Sequence, residues 1–418
     1  MDKKPKRMVP EVRFKGFTDD WEQRKLKSFY SFKNGINKGK EYFGDGIPIV
    51  NYTDVYHHRA LESSDLKGRV QVTAKEIENN SAKTGDLFFT RTSETIDEIG
   101  FPSVLLNINE KTVFSGFLIR ARAINKDPLN NLIKKYIFYT DIFRKEMMKK
   151  STITTRALTS GKNLAQMFIS FPTNKNEQNK IGRVLSILDN LLFLQQRKLE
   201  QLKQLKKAML QRLLVSKKGK LIPSIRFKDF TETWDQRKLS ELGKVLTGNT
   251  PSTKDVRNWT NDKRNGHIWI TPTDINKSII IDSERYLSDK GWSKARVVPK
   301  DSVLITSIAS IGKNAINAIE AAFNQQINAL IIQNNNSYFV LMAMTREKQR
   351  FEALAGQTAT PIINKSTFSS FTIKLPSKKE QDKIGNFFKQ LDSLITLHQC
   401  KLNQLSKMKK FYLQKMFI

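Results

Sequence analysis

The 418-residue chain has one cysteine, four histidines, no Pro-Pro dipeptide and no run of eighteen apolar residues. Each scarcity excludes something. Cys400 alone can close no internal disulfide and build no cysteine-rich zinc site, and a fold made without disulfides suits a reducing cytoplasm. His57 and His58 are adjacent, so they cannot share a helix face as the histidines of HExxH do; they are expected in an exposed loop. No GxxxxGK(S/T) and no GxGxxG is present, so neither phosphate-cradling fingerprint is available. Gly312-Lys313-Asn314 is the nearest fragment, and it lacks the first glycine and the hydroxyl residue. Without Pro-Pro there is no Asn/Asp-Pro-Pro-aromatic motif of the kind with which amino-methyltransferases hold a flipped base. Asp86 and Asp301 stand alone after turn signals and read as turn caps rather than nuclease carboxylates. No apolar leader segment opens the chain, and neither secretion nor a membrane span is expected. No catalytic residues, metal ligands or bound cofactor are expected of the chain itself.

Acidic residues are scarce too: 40 Asp and Glu face 72 Lys and Arg, a net charge of +32. Such an excess opposes compaction unless an anion neutralises it, and nucleic acid is the usual partner of a soluble protein of this composition. The length suggests two or three domains.

What is present in abundance is repetition. Residues 9–26, VPEVRFKGFTDDWEQRKL, recur at 222–239 as IPSIRFKDFTETWDQRKL, identical at eleven of eighteen positions with a shift of 213. Residues 177–214 recur at 380–417 with a shift of 203 and no gap: Glu177, Gln178, Lys180, Ile181, Gly182 and Asp189 return as Glu380, Gln381, Lys383, Ile384, Gly385 and Asp392. The order is therefore proximal motif, variable module, helix, and the same again. The second variable segment is ten residues shorter, and the two look much less alike than what surrounds them. A scaffold kept while its inserts diverge is what two different readers on one frame would produce.

In 181–213 the apolar residues follow three-four spacing, as they do in 384–416, and no proline interrupts either. Each is read as an amphipathic helix with a coiled-coil stripe, about 57 Å long for thirty-eight residues at 1.5 Å each. The stripes can pair through Leu188, Leu192, Leu199, Leu202, Leu391, Ile395, Leu402 and Leu405. Leu191, Leu205, Leu394 and Met408 are placed in the same apolar series. Gln195 and His398 sit inside it as a polar layer able to fix register. The other arrangement is two independent surface helices, each on its own domain. The modules read as strand-rich, with strands at 47–51, 86–90 and 103–106 and at 267–271, 302–307 and 329–333. One helix is expected in each, 132–149 and 338–354.

Sequence reading requires Arg, Lys, Asn, Gln, Ser or Thr at base edges, whereas phosphate contacts only position the protein. Polar loops at strand ends supply the candidates. In the first module these are Arg91, Thr92, Ser93, Arg156, Lys162 and Asn163. In the second they are Asn249, Thr250, Thr273, Ser307, Ser310, Lys313, Gln357 and Thr358.

The P-x-x-R-F-x-x-F-x-x-x-W segments Pro10–Trp21 and Pro223–Trp234 resemble the specificity (S) subunit of type I restriction–modification systems. So do the E-Q-x-K-I helix starts behind Pro172 and Pro376, with WITPTDI at 269–275 and FNQQINAL at 323–330. IPIVNYTDV at 47–55 is a looser match to the WITPTDI stretch. The resemblance implies an α+β fold: two mixed α/β target-recognition domains joined by two long helices that pair as an antiparallel coiled coil, in a pseudo-twofold repeat. It implies boundaries of 1–175 and 221–376 for the domains with their proximal motifs, and 176–220 and 377–418 for the helical regions. It further implies that each domain reads one half of a split, asymmetric double-stranded DNA site while the helices set the gap. Two modification (methyltransferase) subunits would dock on this scaffold and restriction (translocase/nuclease) subunits would join them. S-adenosylmethionine, ATP and Mg would be used by those partners and not by this chain. Two other classes stay open: a self-contained nuclease or methyltransferase, which the missing motifs oppose, and a structural nucleic-acid-binding assembly protein unrelated to restriction.

Overall fold

The computed structural model describes residues 7–215, 220–356 and 361–418. The chain packs into two compact units, Met1–Gln195 with Lys401–Ile418, and Gln196–Cys400. Each unit therefore takes a piece of both long helices, Lys175–Arg212 and Lys378–Lys415.

The first unit contains a five-stranded sheet in the order Tyr30–Asn34, Leu118–Ala123, Leu87–Thr90, Pro102–Asn107, Ala60–Glu62. All four residues of Leu87–Thr90 are buried. Such a strand is covered on both faces, so Leu87–Phe89 is apolar without alternation, and the Thr90 hydroxyl accepts from the Phe101 amide. A four-stranded sheet, Arg69–Val70, Phe43–Val50, Thr112–Phe114, Ser81–Ala82, completes the module. The second unit has a five-stranded sheet of the same order, Gly243–Thr247, Ile327–Ile332, Val303–Thr306, Asn314–Asn317, Ile279–Ile280. Its other sheet, Trp259–Thr260, Arg285–Leu287, His267–Ile270, Ala321–Phe323, Val297–Val298, has one strand more. The two modules that look unalike in sequence thus share one topology. WITPTDI and its looser match do the same job: Asp274 Oδ2 accepts from the Thr271 amide at 2.7 Å, and Asp54 Oδ2 from the Asn51 amide at 2.8 Å.

Three expectations are corrected. The single helix at 132–149 is two, Asn131–Ile137 and Asp141–Lys150. Thr140 breaks it, donating its hydroxyl to Ile137 O and accepting from the Phe143 amide, and so capping a new start. The helix at 338–354 is likewise Ser337–Arg346 and Lys348–Glu352, interrupted at buried Glu347, which pairs with Arg350. His57 is exposed but ends the helix Tyr52–His57 instead of lying in a loop. Asp86 does cap its turn, accepting from the Lys83 amide at 2.8 Å.

The two recurrent motifs meet. Arg13 grips Glu177 with Nε at 2.7 Å and Nη2 at 2.9 Å, while Lys180 lies over the rings of Phe14 and Phe17. In the second unit Arg226 grips Glu380 at 2.8 and 2.7 Å, and Lys383 lies over Phe230. Glu177 and Glu380 are buried. A buried carboxylate is tolerable because the guanidinium fork meets both oxygens. Gln178 and Gln381 each tie the helix start to its module, donating to Pro172 O and Pro376 O and accepting from the Asn130 and Asn336 amides. Gly182 follows because a Cβ there would stand 2.7 Å from Leu132 Cβ.

The helices pair antiparallel within each unit. Lys409 contacts Asp189 in the first and Lys206 contacts Asp392 in the second. Residue numbers add to 598 in both pairs, so one register serves both. Ile181, Leu185, Leu188, Leu199, Leu202 and Leu213 are buried, with Leu192 and Gln195 half-buried between them. Ile384, Phe388, Leu391 and Leu402 are buried, with Ile395, His398 and Leu405 half-buried. The steps alternate four and three, the spacing of a coiled-coil seam. Leu191, Leu205, Leu394 and Met408, assigned to the apolar series by sequence, turn outward and are exposed. Each lies off the seam, beyond the width of a two-helix contact.

Candidate nucleic-acid interface

In the first unit the candidates gather at one end of the five-stranded sheet. Arg91 directly follows the strand Leu87–Thr90. Its amide donates to Phe117 O at 2.9 Å, and its guanidinium reaches Gly116 O at 3.4 Å. Thr92–Ser93 forms a short ladder with Ala157–Leu158; Ser93 is buried, so its side chain belongs to the interior and Thr92 is half-buried. Arg156 is exposed and pairs with Glu94 at 2.9 Å. Ser160 caps the helix Gly161–Ala165 by accepting from the Asn163 amide; Lys162 is exposed there, and the Asn163 amide group donates to Lys150 O at 2.7 Å.

In the second unit the described candidates lie in turns beside strand ends. Asn249 is a structural anchor: its side chain donates to Lys294 O at 2.9 Å and accepts from the Arg296 amide at 2.6 Å. The Thr250 hydroxyl contacts Gln325, and Thr273 is exposed beside Thr271 at 2.7 Å. Ser307 is 2% exposed and accepts from Asn328 Nδ2 at 2.8 Å, so its hydroxyl holds the turn together instead of facing outward. Ser310 and Lys313 are exposed. Ala309, just before Ser310, adopts φ +61°, a left-handed conformation costing about 1 kcal/mol or more for a residue with a Cβ. Gln357 and Thr358 lie outside the described residues.

Arg156 is partnered by Glu94, and a second carboxylate, Asp54, closes the turn at Asn51. Burial raises the Asp54 carboxyl, while the Asn51 amide it accepts from works in the other direction. Among the described residues, no group of three His, Cys, Asp or Glu is placed to hold a metal ion, and no helix is long and apolar enough to cross a membrane. The arrangement offers Arg, Lys, Thr and amide groups on backbone held by strand ends. That suits hydrogen bonding to base edges and phosphates. Sequence reasoning missed the turns at 115–117 and 324–326. Two signals mark them: Gly35, which recurs as Gly248 at the 213 shift, and the FNQQINAL stretch at 323–330 that contains the second turn.

Residues 231–407 match the family described as type I restriction modification DNA specificity domain. Over 170 residues the chain is 32% identical to the type I restriction enzyme MjaIX specificity subunit of Methanocaldococcus jannaschii, covering 39% of this chain and 38% of that one. The putative type I restriction enzyme MjaX specificity subunit of the same organism is 22% identical over 410 residues, covering 94% and 91%. The chain thus spans well under half the length of the first of these relatives and nearly all of the second. A crystal structure of a type I restriction–modification S subunit from M. genitalium has the same fold, with a TM-score of 0.65 at 15% identity over 98% of this chain and 99% of that one.

Proposed function

We propose, from the premise that this chain belongs to the specificity subunits of type I restriction–modification systems, that it is a non-catalytic, sequence-specific reader of double-stranded DNA. Each module reads one half of a bipartite, asymmetric site. The observation that carries this reading is the repeated module topology with different side chains at corresponding strand ends, in a chain of net charge +32. One fold used twice with unlike loops gives two unlike half-sites. The paired helices act as the spacer: half-sites on one DNA face lie about 34–36 Å apart per helical turn, within the reach of a helix about 57 Å long.

The outward-facing apolar residues suggest where modification subunits dock. Leu191, Leu194 and Leu205 have exposed counterparts in Leu394, Leu397 and Met408, each at the 203 shift. Two equivalent apolar stripes fit two copies of one partner. Those partners would supply the S-adenosylmethionine chemistry, and restriction subunits the ATP- and Mg-dependent cleavage, in the cytoplasm. The test is a module exchange. With 240–374 replaced by the corresponding segment of a relative, one half of the methylated motif should change. A change in both halves would contradict modular reading.

A further inference from the structure

The hydrogen-bond pattern matches the two modules atom by atom at one corner. In the first, the Ile36 amide donates to Phe114 O at 2.9 Å, the Ser115 amide to Val50 O at 3.0 Å and the Leu118 amide to Ser115 O at 3.0 Å. In the second, the Asn249 amide donates to Phe323 O at 3.0 Å, the Asn324 amide to Ile270 O at 2.8 Å and the Ile327 amide to Asn324 O at 3.1 Å. Arg91 N to Phe117 O, 2.9 Å, corresponds to Ser307 N to Gln326 O, 2.8 Å. The Phe117 amide donates to Ser115 Oγ at 3.3 Å, the Gln326 amide to Asn324 Oδ1 at 2.7 Å. Even the close approach is shared: a Cβ on Gly35 would stand 2.1 Å from Phe114 O, and one on Gly248 2.3 Å from Phe323 O.

This backbone is fixed from several sides, yet the side chains it displays differ completely: Gly116-Phe117 in one module and Gln325-Gln326 in the other. Phe117 is 58% exposed, and its carbonyl accepts from the Arg91 amide. Gln325 is exposed and held by the Thr250 hydroxyl. A large apolar ring left mostly exposed on a fixed turn gains little from burial. It does suit a thymine methyl group or a wedge between base steps, whereas a held glutamine amide suits the paired donor and acceptor of an adenine edge.

We infer that this corner is a specificity-determining base contact in both modules, made by Phe117 in the first and by Gln325 and Gln326 in the second. The inference rests on the DNA-reading function proposed above. Its test uses the full chain co-expressed with its modification subunit, with methylated motifs mapped genome-wide. Phe117→Gln and Phe117→Leu should alter preference at one position of one half-site. Gln325→Ala should relax one position of the other half, each by roughly tenfold. Binding titrations with duplexes varied at every position of the wild-type motif provide a second readout. An unchanged motif, or an equal loss of binding over all sequences, would overturn the inference while leaving modular reading intact. If the wild-type chain itself directs no two-part motif, the DNA-reading function falls and the corner with it.

Discussion

Lys206 meets Asp392 at 2.6 Å, although 186 residues separate them. The same carboxylate accepts from Tyr338 at 2.5 Å and Ser278 at 2.7 Å. One side chain therefore joins the module to both long helices. Asp189 does the same in the first unit, with Tyr136 at 2.9 Å and Lys409. Asp392→Ala should strand a half-buried ammonium and a buried phenol, lowering stability by about 2–3 kcal/mol, read by urea unfolding. A loss below about 0.5 kcal/mol would mean solvent supplies equivalent partners.

Arg226→Ala should cost more than that. It leaves Glu380, 0% exposed on its side chain, as an unpaired buried charge. About 3–5 kcal/mol is expected from breaking one side of a buried pair. Arg226→Lys should recover only part of the loss, because an ammonium cannot fork across both oxygens. Full recovery in the unfolding midpoint would show the pairing to be a point-charge contact.

The alkaline limb of stability should depend on Tyr338. Burial, and then its bond to Asp392, push the phenol well above its ordinary range. A group whose pKa is raised on folding stabilises fully below the unfolded value, about 10 for tyrosine, and loses that contribution as pH rises further. The fall in stability above about pH 10 should therefore be shallower in Tyr338→Phe than in the parent. Parallel curves would deny the coupling.

Leu194→Glu with Leu397→Glu should leave the unfolding midpoint nearly unchanged, since both side chains are about half exposed at 53% and 47%. The pair should nevertheless abolish co-purification with the modification subunit. Retained assembly would place the docking surface elsewhere.

Much of this is legible in the sequence. Repeated Arg13–Trp21 and Glu177–Ile181 segments announced the duplication, and the structure gives the reason both persist together: Arg13 and Glu177 are two halves of one contact. The helices were legible because their period is local. Leu191 and Leu394 were misplaced because apolar identity does not reveal which of two adjacent stripes is buried, and that depends on the partner helix. The common topology of the modules was hidden for a different reason. It lies in backbone bonds such as Leu118 N to Ser115 O, which constrain few side chains. A few positions carry that constraint into the sequence: the glycines of close approach, Gly35 and Gly248, and the turn-closing Asp54 and Asp274.

The most direct test of two-module reading is the set of adenines methylated in cells carrying this chain with its modification subunit. Two short, unlike specified blocks separated by a gap of fixed length are the predicted result. A single continuous motif, or no sequence-specific methylation dependent on this chain, would contradict it.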